Sequence, residues 1–134
     1  MVALQNAVIT PKPRPDLDVE AAMRGFFLIL DAWKVSTDMA RSILGQPPER
    51  TFYHWRKGEG VRLPRDTLRR IGYVAGIYKA LQILYSNPAQ ADNWVNRPNQ
   101  DFGGQTPVQR MAAGDVTDLA YVRAYLDSAR GLWN

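Results

Sequence analysis

Apolar residues return at intervals of three and four along most of the chain, and prolines repeatedly stand where such runs begin. This pattern predicts helices throughout and no strand. Over residues 16 to 33 the stripe is Ala22, Phe26, Ile29, Leu30 and Trp33, with Asp16, Asp18 and Glu20 at the end where a helix dipole is positive. Ser36 is placed to cap a short second helix carrying Met39, Ala40, Ile43 and Leu44. Gly45 ends it, because glycine adopts the left-handed conformation at least cost. Pro47 and Pro48 lead into a third helix over residues 50 to 57, stopped by Gly58. Two short helices joined by a tight turn have the spacing of a helix-turn-helix.

The longest periodic stretch follows Pro64. Leu68, Ile71, Val74, Ala75, Tyr78, Leu81 and Tyr85 form one face, and Tyr73, Ile77 and Leu84 a second. Such apolar width predicts burial on two sides, either between the two halves of the chain or across a dimer. Asn87, Pro88 and Gln90 open a shorter helix with Trp94, expected to run out near Arg97 because Pro98 disfavours helical geometry in the residue before it. Thr106, Pro107 and Gln109 supply a cap, a first-turn proline and the third-position partner of a capping box, predicting a helix over residues 107 to 113 ended by Gly114. Asp115 caps the last helix, whose Leu119, Val122, Leu126 and Ala129 face inward, before Gly131, Leu132, Trp133 and Asn134. The fold class is all-α, with a helix-turn-helix region over residues 16 to 62, a linking or dimerisation helix over 63 to 86, and a small helical unit over 87 to 134. Residues 1 to 15, where Pro11, Pro13 and Pro15 alternate with Lys12 and Arg14, read as a mobile, partly extended tail.

Composition narrows the function classes. A chain of 134 residues has room for one core, and 46% hydrophobic against 22% charged residues is globular. The absence of Cys removes disulfides, thiolate chemistry and cysteine zinc sites, and fits a reducing compartment, so the cytoplasm is expected. No stretch approaches the roughly 20 apolar residues that span a bilayer. The net charge of +4 is unevenly placed: residues 41 to 70 hold eight basic and three acidic side chains, the remainder nine and ten. A positive segment of this kind is the footprint of a surface that faces nucleic acid.

Candidate chemistry concentrates in the third helix. Phe52 and Trp55, three apart, can anchor it, leaving Arg50, His54 and Arg56 for base or phosphate contact and Thr51, Tyr53 and Lys57 for backbone positioning. His54 is the only histidine, which excludes a pair of His ligands to a metal and leaves a Ser-His-Asp arrangement no place but this helix. Gly103-Gly104 is followed by no Lys-Ser or Lys-Thr, so a phosphate loop fails and a tight turn remains. Asp115 and Asp118 fall in a first helical turn, where capping accounts for them. The reading is non-enzymatic, with no cofactor or metal.

Trp94, then Pro98-Asn99, Phe102, Gly104 and Pro107, followed by an apolar helix, a glycine and a final helix with Val116, Leu119, Val122 and Leu126, resembles the toxin-binding domain of Xre/MbcA/ParS family antitoxins. Upstream, AWKVSTDMARSILGQPPERTFYHWRKG resembles the Xre-type helix-turn-helix of the same proteins, and LPRDTLRRIGYVAGIYKALQILY their linking helix. The resemblance implies the antitoxin of a type II toxin–antitoxin pair, partnered with a RES-type toxin that consumes NAD. It implies occlusion of the toxin's active site by protein contact, and repression of its own operon as a homodimer on operator DNA. Trp94, Pro98, Asn99, Phe102, Gly104 and Pro107 then scaffold the toxin-binding surface, while Arg123, Arg130, Leu132 and Trp133 are the candidates for direct contact. In one respect the chain departs from the family: Ala40 precedes Gly45 by five residues where many Xre proteins have four, so individual groove contacts are not carried over. The alternative from a different class is a stand-alone helix-turn-helix repressor whose C-terminal half only dimerises.

Overall fold

The computed structural model describes residues 15 to 58 and 60 to 133, with side chains described from Val19 to Gly131. The tail expected over residues 1 to 15 lies outside the described residues except at Pro15. Among the described residues seven α-helices follow one another: α1 (Pro15–Ala32), α2 (Thr37–Ile43), α3 (Glu49–Lys57), α4 (Arg65–Leu84), α5 (Pro88–Trp94), α6 (Pro107–Met111) and α7 (Val116–Trp133). A single 3-10 turn (Gln100–Phe102) sits between α5 and α6, and no strand occurs among the described residues.

Local chemistry sets most of the helix ends. The Ser36 hydroxyl accepts from the Met39 amide at 3.2 Å and starts α2. After it, Gly45 and Gln46 both take positive φ, and the Gln46 amide returns to the Arg41 carbonyl at 2.8 Å. Gly58 closes α3 in the left-handed conformation at φ 78°. At α6 the capping box is complete: the Gln109 amide donates to Thr106 Oγ1 at 3.0 Å and the Thr106 amide to Gln109 Oε1 at 2.8 Å. The Asp115 carboxylate accepts from the Thr117 amide at 3.0 Å and starts α7. That bond, with a second from the Thr117 hydroxyl, holds Asp115 below the usual carboxylate range, and the Arg70 guanidinium adds to the effect. Two helices are shorter than the periodicity predicts. α5 stops at Trp94 rather than near Arg97, because the Asn96 and Arg97 amides donate to the Asn93 and Trp94 carbonyls, three residues back, and tighten the chain into a turn. α6 stops at Met111, two residues before Ala113.

The centre of the molecule is α4, packed between α1 on one side and α7 on the other. Of the two arrangements its apolar width allowed, burial between parts of one chain is therefore the one found. Ile71, Val74, Ile77, Ala80 and Leu81 are buried, and one continuous core runs from Met23 on α1 to Leu126 on α7. Each large aliphatic or aromatic side chain in it contributes about 1.5–3 kcal/mol. On α1 the inward face is broader than the predicted stripe: Met23 and Phe27 are buried with Phe26, Leu30 and Trp33, while Ala22 and Ile29 are half-buried. Phe27 turns inward because it meets the edge of Phe52 from α3, with ring centroids 5.5 Å apart.

At its N-terminal end α4 presents a different face from the one predicted. Leu68 is 37% exposed and Ala75 is exposed, whereas Thr67 and Arg70 are buried. The reason is Arg70. Its Nε donates to Asp66 at 2.7 Å, its Nη1 reaches the Ile43 carbonyl at 3.3 Å, and its guanidinium lies 3.1 Å from the place a Cβ on Gly45 would occupy. The guanidinium thus satisfies a carbonyl at the end of α2 and fixes the turn between α2 and α3. Arg70→Ala is expected to cost about 2 kcal/mol, the range for a buried hydrogen bond to a charged group, measured by denaturant unfolding. Asp66→Asn, which touches only the half-exposed end of the pair, is expected to cost under about 1 kcal/mol.

Candidate functional site

Two surfaces carry the candidate residues. On α3, Phe52 is fully buried and Trp55 nearly so, and this anchoring leaves Arg50, Tyr53, His54, Arg56 and Lys57 exposed. The Arg56 guanidinium lies 5.2 Å over the Phe27 ring, which orients it without neutralising it. Tyr53 stands edge-on to Phe52 at 5.5 Å. Thr51 is half-buried and lines a groove with Leu44, Pro47 and Thr67, apart from the exposed cationic side chains. Two basic residues of the positive segment are drawn in: Arg70 is buried, and Arg41 is half-buried with its Nε donating to the Pro47 carbonyl at 3.1 Å. The positive face is therefore narrower than the residue count suggests.

The second surface is built on the loop between α5 and α6. Asn99 organises it: its amide donates to the Gln105 carbonyl at 2.9 Å, its side chain accepts from the Asp101 amide at 2.9 Å, and its carbonyl accepts from the Gly104 amide at 2.9 Å. Gly103 and Gly104, at φ 66° and 86°, allow the chain to close on itself, the tight turn expected of that pair. The loop thereby delivers Phe102 into an aromatic cluster. Phe102 is 5.6 Å from Tyr121 and 5.0 Å from Tyr125, Trp94 stacks on Tyr125 at 6.0 Å, and Phe102 meets Trp94 edge-on at 6.1 Å. Pro107 is buried and Pro98 is exposed. Of the six scaffold candidates named from the sequence, Trp94, Asn99, Phe102 and Gly104 thus meet in one knuckle, with Phe102 and Trp94 at its centre.

Sequence reasoning missed what closes this knuckle from the α7 side. The Tyr125 hydroxyl donates to Asp101 Oδ2 at 2.8 Å, and this bond to a carboxylate, with partial burial, raises its pKa above the ordinary phenol value. The Arg110 guanidinium sits 4.0 Å over the Tyr121 ring while its Nε pairs with Asp118 at 3.0 Å. The available signal was the spacing of Tyr121 and Tyr125, four apart and hence on one side of a helix. A further unforeseen bond joins this unit to α1: Asn96 Nδ2 donates to the Trp33 carbonyl at 2.7 Å.

Further along α7, Arg123 and Arg130 both address Asp127. Arg123 Nε is 3.2 Å from each carboxylate oxygen, and Arg130 Nη1 is 4.0 Å from Asp127 Oδ1. Arg123 also turns its Nη1 against Gly76 of α4, where an added Cβ would overlap its guanidinium. The helix continues to Trp133, but the side chains of Leu132 and Trp133 lie outside the described residues. Among the described residues no group of three or more His, Cys, Asp or Glu is placed to hold a metal. No helix among them is long and apolar enough to cross a membrane.

Comparison with known proteins agrees with this geometry. Residues 80–131, from the C-terminal end of α4 through the knuckle to α7, match the family model described as the antitoxin Xre/MbcA/ParS C-terminal toxin-binding domain. The uncharacterized protein y4oB of Sinorhizobium fredii (strain NBRC 101917 / NGR234) is 42% identical over 113 residues, which cover 84% of this chain and 87% of that protein. An all-α chain whose aromatic knuckle and last helix coincide with that toxin-binding domain belongs to the Xre/MbcA/ParS antitoxin family.

Proposed function

We propose that the protein neutralises an NAD-consuming toxin of the RES type by covering its active site with the α7 side of the C-terminal unit, and that α3 binds operator DNA to repress its own operon. The observation that carries the first half is the coincidence of the toxin-binding match with a helix that displays Arg123 and Arg130 around one aspartate. Arginine and aromatic side chains are the usual anchors of protein interfaces, and the tail residues Leu132 and Trp133 extend the same helix. The second half is supported by α3, where an apolar anchor holds cationic side chains outward in the manner of a recognition helix. Repression belongs to a homodimer in this reading, because one recognition helix buries too little for tight binding whereas two read half-sites about one turn apart. With most of the apolar surface of α4 spent inside the chain, the exposed Leu28, beside Gly25, Ile29 and Tyr78, is the apolar surface that supports pairing. A cytoplasmic location and a purely binding, cofactor-free role fit both halves.

The direct test is to express the adjacent reading frame with and without this protein while following growth, intracellular NAD and co-purification. The expected result is that the neighbour alone depletes NAD and arrests growth, and that co-expression yields a complex and restores both. A harmless neighbour that does not co-purify would favour a stand-alone repressor.

The two surfaces are expected to separate by mutation. Reversing Arg50 and Arg56 to Glu should lower operator affinity about a hundredfold or more, each lost contact being worth roughly 1–3 kcal/mol. Toxin binding and the unfolding midpoint should stay unchanged, since both side chains are exposed. Deleting residues 131 to 134 should have the opposite profile, weakening neutralisation in a growth assay while a mobility-shift titration on operator DNA is unaffected. Parallel loss of both activities in either variant would show that the surfaces are not independent.

A further inference from the structure

Between α4 and α7 lies a groove of about 300 Å³ walled by Arg69, Gly72, Tyr73 and Arg123, widely open to solvent. Two features distinguish it from an ordinary seam between helices. Its two arginines bring positive charge to the groove: Arg69 has no acidic partner within ion-pair distance among the described residues, and Arg123 is paired with Asp127 through Nε alone. The second feature is that Arg123 is positioned. Asp127 holds one edge of its guanidinium, and the bare backbone of Gly76 lets the other edge lie against α4, with Cζ only 2.7 Å from where a Cβ would stand. With Nε on Asp127 and Nη1 turned against Gly76, the guanidinium is fixed in orientation, and Nη2 has no hydrogen-bond partner among the described residues and is the nitrogen left to donate to an acceptor in the groove.

We propose that this groove receives an acidic side chain of the toxin, clamped between Arg69 and Arg123. The inference rests on the toxin-binding reading above and extends it to residues of the linking helix that precede the family match, which begins at residue 80. The volume is at the lower limit of pockets that enclose small molecules, and the wide opening suits a side chain offered on a protein surface. Operator DNA is a poorer occupant, since α3 contributes no residue to the lining. In this arrangement Gly76 has a role in binding: it keeps the Arg123 guanidinium low against α4 and thereby keeps the groove open.

The experiment measures binding of the full-length protein to a catalytically inactive form of the toxin encoded beside it, by titration calorimetry at low and physiological salt. Arg69→Glu is expected to weaken binding at least tenfold and to flatten its salt dependence, with Arg69→Lys intermediate because the charge remains while the fork is lost. Gly76→Ala is expected to weaken binding several-fold while leaving the unfolding midpoint unchanged or raised, since alanine favours a helix over glycine. Arg24→Glu, an equal change of charge on an exposed residue of α1, serves as the control and should have little effect. Wild-type affinity in both Arg69→Glu and Gly76→Ala, or an equal loss in Arg24→Glu, would overturn the groove while leaving the toxin-binding reading in place. Failure of the wild-type protein to bind overturns both. Saturable binding of inorganic phosphate that Arg69→Glu abolishes, with toxin affinity unchanged, would reassign the groove to a free anion and overturn the proposal.

Discussion

A helix that is apolar on two opposed sides has to be covered on two opposed sides, and α4 imposes that demand on the rest of the chain. α1 covers one side and α7 the other, so the first and last long helices are bound to the same central rod. The short helices then take their positions from this three-helix core. α3 is fixed through Phe52 against Phe27, α6 through the buried Val108 and Met111, and the turn between α2 and α3 through the guanidinium that α4 sends beneath it. The region facing DNA in the proposed function and the toxin-binding unit therefore share one continuous hydrophobic core.

Electrostatics refine rather than create this arrangement. The exposed pairs on α7 are weak individually, as surface ion pairs generally are, but they orient arginines that would otherwise sample many rotamers. Asp127 acts on two of them and Asp118 on a third, Arg110, which also lies over Tyr121. The same helix thus presents an aromatic cluster on one face and a cationic group on the opposite face, the first tied to Asp101 and Asp118 and the second to Asp127. In the proposed function that division would let one short unit be scaffold and contact surface at once.

How much of this was legible in the sequence depended on the range of the interaction. Caps at Ser36, Thr106 with Gln109, and Asp115, and stops at Gly58 and Gly114, involve groups within about four residues of one another, so the linear pattern contained them. The all-α class, the tight glycine turn at 103 and 104, and the anchoring of Phe52 and Trp55 were readable for the same reason. What was not readable required knowledge of distant partners. Nothing local to Arg70 shows that a carbonyl 27 residues away would draw it inside in place of Leu68. Nothing local to Tyr125 points to Asp101, or to Asn96 the carbonyl of Trp33.

The lengths of the minor helices have a further consequence. α2, α3, α5 and α6 have between five and nine residues, below the roughly 12–15 at which an isolated helix begins to hold its shape in water. None of them stores its own order; each borrows it from the central rod and its two flanking helices. Severing the backbone at residues 85 to 87 would therefore liberate no autonomous fragment from either half. In the proposed function, a single cut there would remove the toxin-facing and DNA-facing surfaces together.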